Sequence, residues 1–127
     1  NVMKEGTDVC IIACGLMIPK ALEAAAQLEK EGVSAAVVNM HTIKPIDKDI
    51  VLKMNETCKA IVTVEEHSVI GGLGSAVAEV LAGHDGAKFA MVGIQDKFGK
   101  SGKPDQLFEA YGLTAANVAA KAKELLK

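Results

Sequence analysis

One segment of the sequence concentrates the residue types that could do chemistry. Glu65, Glu66 and His67 follow one another directly after an apolar run, and the glycine-rich stretch Gly71 to Gly74 comes shortly behind them. Two carboxylates beside an imidazole can tune one another's pKa, which is what general acid–base catalysis requires. The free amides of a helix that begins after glycines attract phosphate. The segment therefore raises two functional hypotheses, acid–base catalysis and nucleotide binding.

The spacing of these residues argues against both hypotheses. Adjacent residues at a strand end point to opposite sides, so only one of the three polar side chains would face a given pocket. The dinucleotide fingerprint G-x-G-x-x-G fails because Gly72 and Gly74 fill its first two positions but Val77 fills the third. Two interpretations of the glycines remain: a turn that lets a helix approach a strand closely, and a loop that meets another protein surface.

The cysteines and histidines give no sign of a catalytic or metal site. Cys10, Cys14 and Cys58 are an odd number of cysteines, and the first two lie too far apart on one predicted strand for a disulfide. We expect all three to be buried, reduced thiols in a cytoplasmic protein. The histidines lack the spacing of zinc ligands, and no serine lies in a G-x-S-x-G elbow. The sequence thus predicts no catalytic, cofactor-binding or metal-ligating residue on this chain.

A lysine-bearing loop is the remaining candidate for ligand binding. Lys97, Lys100 and Lys103 lie in the polar segment from Gln95 to Pro104, and their charge could attract an anionic substrate from a distance. The alternative interpretation is a solvated, mobile loop. Together with the helix start at Gly71 to Ser75, this loop defines the hypothesis of a stand-alone module that binds a phosphorylated metabolite.

Composition narrows the class of partner. All 14 basic residues of the 127 are lysines, the net charge is −2, and the aromatic residues are three Phe and one Tyr. Because arginine forks and stacking aromatics carry nucleic-acid recognition, we expect no nucleic-acid partner. Apolar runs are shorter than the roughly 18 residues of a membrane span, and we expect no membrane partner. The first eight residues do not resemble a signal peptide, and the absence of an initial Met predicts an excised fragment.

Hydrophobic periodicity predicts alternating strands and helices. Four apolar runs predict strands, at Asp8 to Cys14, Val33 to Met40, Ala60 to Val64 and Lys88 to Ile94. Five segments predict helices, at Met17 to Glu31, Asp47 to Asn55, Ser75 to Gly83, Asp105 to Tyr111 and Thr114 to Lys127. This alternation predicts one three-layer α/β domain over residues 1–127, with a mainly parallel sheet of about four or five strands and helices on both faces. Functional loops then belong at the carboxyl ends of the strands.

Four blocks of the sequence resemble a known family. They are Gly6 to Gly15 (GTDVCIIACG), Ile43 to Asp47 (IKPID), Thr63 to Glu79 (TVEEHSVIGGLGSAVAE) and Gly93 to Thr114 (GIQDKFGKSGKPDQLFEAYGLT). In this order they are similar to the C-terminal domain of transketolase-type thiamine diphosphate enzymes. The D-x-F-G-x-S-G pattern within the last block favours transketolase over deoxyxylulose-phosphate synthase and the β subunit of 2-oxo-acid dehydrogenases.

The resemblance implies a division of labour within a larger enzyme that moves a two-carbon ketol unit between sugar phosphates. Other domains, on the same chain or a separate subunit, would bind the aminopyrimidine, the diphosphate and Mg²⁺. The family's G-D-G pattern has only a near miss here, Gly83 to Gly86 with an inserted His, which we reject as a Mg²⁺ site. Assembly and domain packing, within a dimer, are left as the role of this domain.

The resemblance also suggests which residues meet the neighbouring domain or the second subunit. We expect the interface to include Glu65, Glu66, His67, Gly71 and Gly72. Three alternative functions stay open: the same domain in one of the two related enzymes, a stand-alone phosphometabolite-binding module, and a pure oligomerisation domain.

Overall fold

A computed structural model of the chain describes residues 1–41, 46–68, 72–94 and 114–127. The predicted helix at Asp105 to Tyr111, the Lys97 to Lys103 loop and Gly71 lie outside these residues. In the described ranges, no helix combines the length and hydropathy needed to cross a membrane.

The centre of the domain is a five-stranded sheet. Its strands are β1 (Val2–Lys4), β2 (Val9–Ala13), β3 (Ala35–Asn39), β4 (Ala60–Ser68) and β5 (Lys88–Ile94), in the spatial order β1-β3-β2-β4-β5. All neighbouring pairs are parallel except β1 and β3. The prediction of a mainly parallel sheet is confirmed, and the four long strands lie where the apolar runs predicted them.

Four α-helices are described. They are α1 (Ile18–Lys30), which follows a 3-10 turn at Gly15–Met17, α2 (Lys48–Thr57), α3 (Leu73–Leu81) and α4 (Ala115–Leu125). The side chain of Asp47 accepts the Ile50 N–H at 3.2 Å at the start of α2. Thr114 accepts the Asn117 N–H at 3.2 Å at the start of α4. Both helix caps are therefore the ones the sequence predicts.

The helices cover both faces of the sheet, as predicted. Alternate residues of β2 divide between two cores: Val9, Ile11 and Ala13 face α1 and α4, while Cys10 and Ile12 face α2 and α3. These five residues are fully buried. Because each face has its own helices and apolar cluster, β2 reads as a continuous apolar run rather than as an alternating one.

Two predicted boundaries at the chemically interesting segment are wrong. Strand β4 does not end at Val64 but continues to Ser68, so Glu65, Glu66 and His67 lie in the strand rather than in a loop after it. The extension has a partner in β5, where Ser68 pairs with Ile94 beyond an irregularity in register. Helix α3 begins at Leu73 rather than at Ser75. Both differences arise from tertiary contacts that a local pattern does not contain.

The connection between α3 and β5 is tied to α2. The buried side chain of Asn55 donates to the Asp85 carbonyl at 2.9 Å and accepts the Ala87 N–H at 2.8 Å. Gly83 and Gly86 have positive φ values of 80° and 150°, which glycine adopts without strain. The near miss to a Mg²⁺ motif is thus a turn held by an amide side chain.

Candidate functional site

The end of β4 and the start of α3 meet through a buried carboxylate. Glu65 is 1% exposed, although it is charged. Its Oε1 accepts the N–H of Leu73 at 2.9 Å, and its Oε2 accepts the N–H of Gly74 at 2.7 Å. The carboxylate therefore binds two amides of the first turn of α3, one with each oxygen. We call this arrangement the Glu65 clamp.

The clamp satisfies groups that a helix leaves without partners. The first amides of a helix have no acceptor within the helix, and they lie at the positive end of its dipole. Gly72, the residue before α3, has no side chain to accept them. Glu65 takes this role from eight and nine residues earlier in the chain, with charge-assisted hydrogen bonds.

The same contacts make Glu65 itself unsuited to either of the two chemical roles that the sequence suggested. A phosphate at the start of α3 would need the two amides that the carboxylate already binds. A general base needs an oxygen that faces a substrate, whereas both oxygens of Glu65 face the helix. The geometry supports a structural role for Glu65.

Gly74 lies where α3 comes close to the sheet. A Cβ atom at this position would overlap the side chain of Met91 on β5 and lie 3.1 Å from Thr63 Oγ1 on β4. Of the two interpretations of the glycines, the tight helix–strand approach is confirmed at Gly74. The hydroxyl of Thr63 is itself buried and has no hydrogen-bond partner in the part of the chain that is described.

The other predicted interface residues lie near the clamp. Glu66 and His67 continue β4 past Val64, the residue opposite the last residue of β2, Ala13. Gly72 directly precedes α3. The structure thus gathers Glu65, Glu66, His67 and Gly72 at one edge of the sheet, with Glu65 turned inward.

Sequence reasoning missed the capping role of Glu65. Capping signals in sequence are local, with a side chain and its amide two or three residues apart. Glu65 acts across a strand end and a turn, so its separation from Leu73 matches no local motif. The available signal was indirect: a glycine at the helix start cannot supply a capping side chain.

Two of the three cysteine thiols are buried. Cys10 and Cys58 are buried, as predicted, whereas Cys14 is half-buried. Burial raises the pKa of the Cys10 thiol far above its usual range, and the neighbouring Cys58 adds to this. Burial, followed by the carboxylates of Asp8 and Glu5, raises the pKa of Cys58 to about 11. Since the thiolate is the nucleophile, neither thiol is suited to catalysis.

Comparison with known proteins gives consistent matches along the chain. The family described as "Transketolase, C-terminal domain" matches residues 1–118. A protein from Methanocaldococcus jannaschii, described as a transketolase C-terminal section, is 46% identical over 128 residues, which cover 100% of this chain and 40% of that protein. A 6-deoxy-6-sulfo-D-fructose transketolase subunit from Clostridium sp. is 44% identical over a match that covers 98% of this chain and 39% of that subunit.

A related enzyme and two solved structures complete the comparison. A 1-deoxy-D-xylulose-5-phosphate synthase from Heliobacterium modesticaldum is 46% identical, over 98% of this chain and 20% of that enzyme. A split-gene transketolase, solved as an inactive beta4 tetramer, is 52% identical with a TM-score of 0.93, over 99% of this chain and 41% of that one. A transketolase variant from Pichia stipitis shares the fold, with a TM-score of 0.66 at 22% identity, over 98% of this chain and 17% of that one. This chain spans between 17% and 41% of the length of these proteins.

The Glu65 clamp predicts a large loss of stability on substitution. Glu65→Ala removes both acceptors from buried amides and should lower the free energy of unfolding by roughly 3 kcal/mol. Glu65→Gln keeps one acceptor oxygen and should cost about half as much. Glu79→Ala, at an exposed position of α3, is the control and should change it by less than about 0.5 kcal/mol. Urea unfolding of the three variants measures the change in the free energy of unfolding. Equal losses for Glu65→Ala and Glu79→Ala would contradict the clamp.

The raised pKa of Cys58 predicts a loss of stability in alkali. The unfolded chain releases the thiol proton near pH 9.0, while the folded chain holds it until about pH 11, so the free energy of unfolding falls as the pH rises through this window. Cys58→Ala removes this contribution and should flatten the fall. Urea unfolding of the wild-type chain and of Cys58→Ala at pH 9.0 and at about pH 11 tests this. The lysines titrate in both proteins, so the difference between the two profiles reports on Cys58. Parallel pH profiles would show that Cys58 is accessible to solvent.

Proposed function

We propose that this chain, which belongs to the transketolase C-terminal domain family, is the C-terminal domain of a thiamine diphosphate-dependent transketolase that does not itself hold the cofactor. The parent enzyme would transfer a two-carbon ketol unit between sugar phosphates, in the cytoplasm and the pentose phosphate pathway. The observation that supports this most is the match to a split-gene transketolase over 99% of this chain, at 52% identity and a TM-score of 0.93.

The residues described here do not fit thiamine diphosphate or its Mg²⁺. The α3 amides that would receive a diphosphate are bound by Glu65, and the described residues contain no group of three His, Cys, Asp or Glu side chains placed to hold a metal ion. The turn at Gly83 to Gly86 is held by Asn55 through backbone groups. We therefore assign the cofactor, the metal and the reacting carbon atoms to other domains and derive no chemical step on this chain.

The role left to this domain is assembly and domain packing. Its partners would be the pyrimidine- and diphosphate-binding domains of the same enzyme, within a dimer. The dimer interface would bury more than about 2,000 Å² of accessible surface, as stable dimers commonly do. Glu66, His67, Gly71 and Gly72 would contribute contacts. Glu65 would position them through the clamp, because its own carboxylate is used within the domain.

Two observations bear on the competing functions. A deoxyxylulose-phosphate synthase remains the second candidate for the parent enzyme. One such synthase is 46% identical to this chain and matches 98% of it, which is about as much as the transketolase sections match. The stand-alone phosphometabolite module loses support, since the helix start on which it relied is closed by Glu65. The split-gene beta4 tetramer is described as inactive, which supports the expectation that an isolated C-terminal section does not catalyse.

The proposal predicts activity in the parent enzyme and none in the isolated chain. The parent enzyme, with its partner subunit if the gene is split, should transfer a ketol unit from a ketose phosphate to an aldose phosphate when given thiamine diphosphate and Mg²⁺. The isolated 127-residue chain should show no turnover and no calorimetric binding of thiamine diphosphate at micromolar concentrations. Formation of deoxyxylulose phosphate by the parent, from the substrates of that synthase, would select the second candidate. Turnover or cofactor binding by the isolated chain would contradict the division of labour.

A further inference from the structure

We infer that Met91 is a site of reversible oxidation by peroxide, and that the buried hydroxyl of Thr63 donates a hydrogen bond to the oxygen atom that oxidation adds. The two residues are partners in neighbouring parallel strands, Thr63 on β4 and Met91 on β5. All the contacts involved lie within this domain, so the proposed function is not needed for this inference.

Met91 is one of two methionines that solvent reaches. The chain has five methionines, of which Met91 is 38% exposed and Met3 is 45% exposed. The other three are at most 3% exposed, namely Met17, Met40 and Met54. A methionine is oxidised when a dissolved oxidant can reach its sulfur. Peroxide should therefore react with Met91 and Met3 and spare the three methionines of the core.

The thioether of Met91 lies against the first turn of α3. A Cβ atom built on Gly74 would overlap Sδ and Cγ of Met91, so the sulfur occupies the space that the glycine leaves open. The same Cβ position lies 3.1 Å from Thr63 Oγ1. The sulfur of Met91 and the hydroxyl of Thr63 are thus neighbours at one point on the surface of the helix.

The hydroxyl of Thr63 is a buried polar group without a partner. Thr63 is 0% exposed, and its Oγ1 makes no hydrogen bond within the residues that the structure describes. Buried polar atoms are normally hydrogen-bonded, because an unpaired one keeps its full desolvation cost. A thioether sulfur is only a weak acceptor. An oxygen on the sulfur of Met91 would be a far better acceptor, and it would satisfy the hydroxyl.

The oxidation balances with a peroxide as the only co-reactant. A lone pair on Met91 Sδ attacks one oxygen of hydrogen peroxide, an S–O bond forms and the O–O bond breaks. The sulfur loses two electrons, and the second peroxide oxygen takes the proton of the transferred one and leaves as water. In the reverse step, catalysed by a methionine sulfoxide reductase, two thiols supply two electrons and become a disulfide, and the oxygen leaves as water.

The surroundings of Met91 favour a folded oxidised form. Oxidation commonly disrupts the packing of a methionine, because it makes an apolar side chain polar. At Met91 the new oxygen would gain a donor from Thr63. The first turn of α3 is also held by Glu65 through the amides of Leu73 and Gly74. Helix α3 should therefore stay packed on the sheet after oxidation.

Peroxide treatment of the full-length protein that contains this domain tests the site. Peptide masses should show one added oxygen atom on Met91 at least about tenfold faster than on Met17, Met40 and Met54 in the native protein, and at similar rates in denaturant. A methionine sulfoxide reductase with a thiol reductant should restore the original mass. Oxidation of Met91 as slow as that of the three core methionines, or a sulfoxide that the reductase does not remove, would overturn the inference.

Removal of the hydroxyl tests the role of Thr63. All proteins in this experiment carry Met3→Leu, so Met91 is the one exposed methionine within the described residues. Hydrogen exchange of the α3 peptide is measured before and after oxidation. With Thr63 present, oxidation should change the exchange rate by less than about twofold. In Thr63→Val it should raise the rate at least about fivefold, which corresponds to the loss of roughly one hydrogen bond.

Three further variants keep this comparison decisive. Thr63→Ser retains the hydroxyl and should respond to oxidation as the protein with Thr63 does. Thr63→Ala removes the same hydroxyl and replaces Thr63→Val if that variant does not fold. Met91→Leu should show no response of α3 to peroxide. An equal response to oxidation with and without the hydroxyl would overturn the assignment of Thr63 as the donor.

Discussion

A single buried carboxylate joins the end of β4 to the start of α3. Glu65 could not be removed from water without partners, because an uncompensated charge in a protein interior is strongly destabilising. Its partners are the amides of Leu73 and Gly74, which are themselves left without acceptors by the helix they begin. The carboxylate gives the two amides their acceptors, and the amides give the buried carboxylate its donors. The position of α3 relative to β4 follows from that.

The clamp gives Glu65 a structural role within a segment that has the residue types of an active site. Glu65, Glu66 and His67 have the chemistry of general acids and bases, but the one side chain of the three whose surroundings are described has both oxygens bound to backbone. Gly74 at the helix start lies where α3 packs closely on the sheet, since a Cβ there would overlap Met91. The chain belongs to the transketolase C-terminal domain family, and the assembly role proposed for it needs no catalytic group at Glu65.

The sequence predicts the layers of this fold well because the signals for them are local or continuous. β2 is buried on both faces and reads as an uninterrupted apolar run, and Asp47 and Thr114 cap helices within three residues of their own positions. β1 has only three residues and depends on its pairing with β3, so no periodicity marks it. The extension of β4 depends on β5 in the same way.

The role of the candidate site is harder to predict from the sequence than the fold is, because it depends on contacts between residues that are not neighbours in the sequence. The segment was found from its residue types, but the role of Glu65 depends on amides eight and nine residues away, brought near by a turn. Only the assembled structure shows that this carboxylate is already bound.

Amide hydrogen exchange at the start of α3 tests the central claim most directly. First-turn amides of a helix usually exchange rapidly because they have no acceptor within the helix. Leu73 and Gly74 should instead exchange at least about tenfold more slowly than Ala115 and Ala116, which occupy the corresponding positions of α4. Their exchange should also be unchanged by inorganic phosphate. Exchange as rapid as that of Ala115 and Ala116, or protection that appears only with phosphate, would show that Glu65 leaves these amides open and would contradict the account.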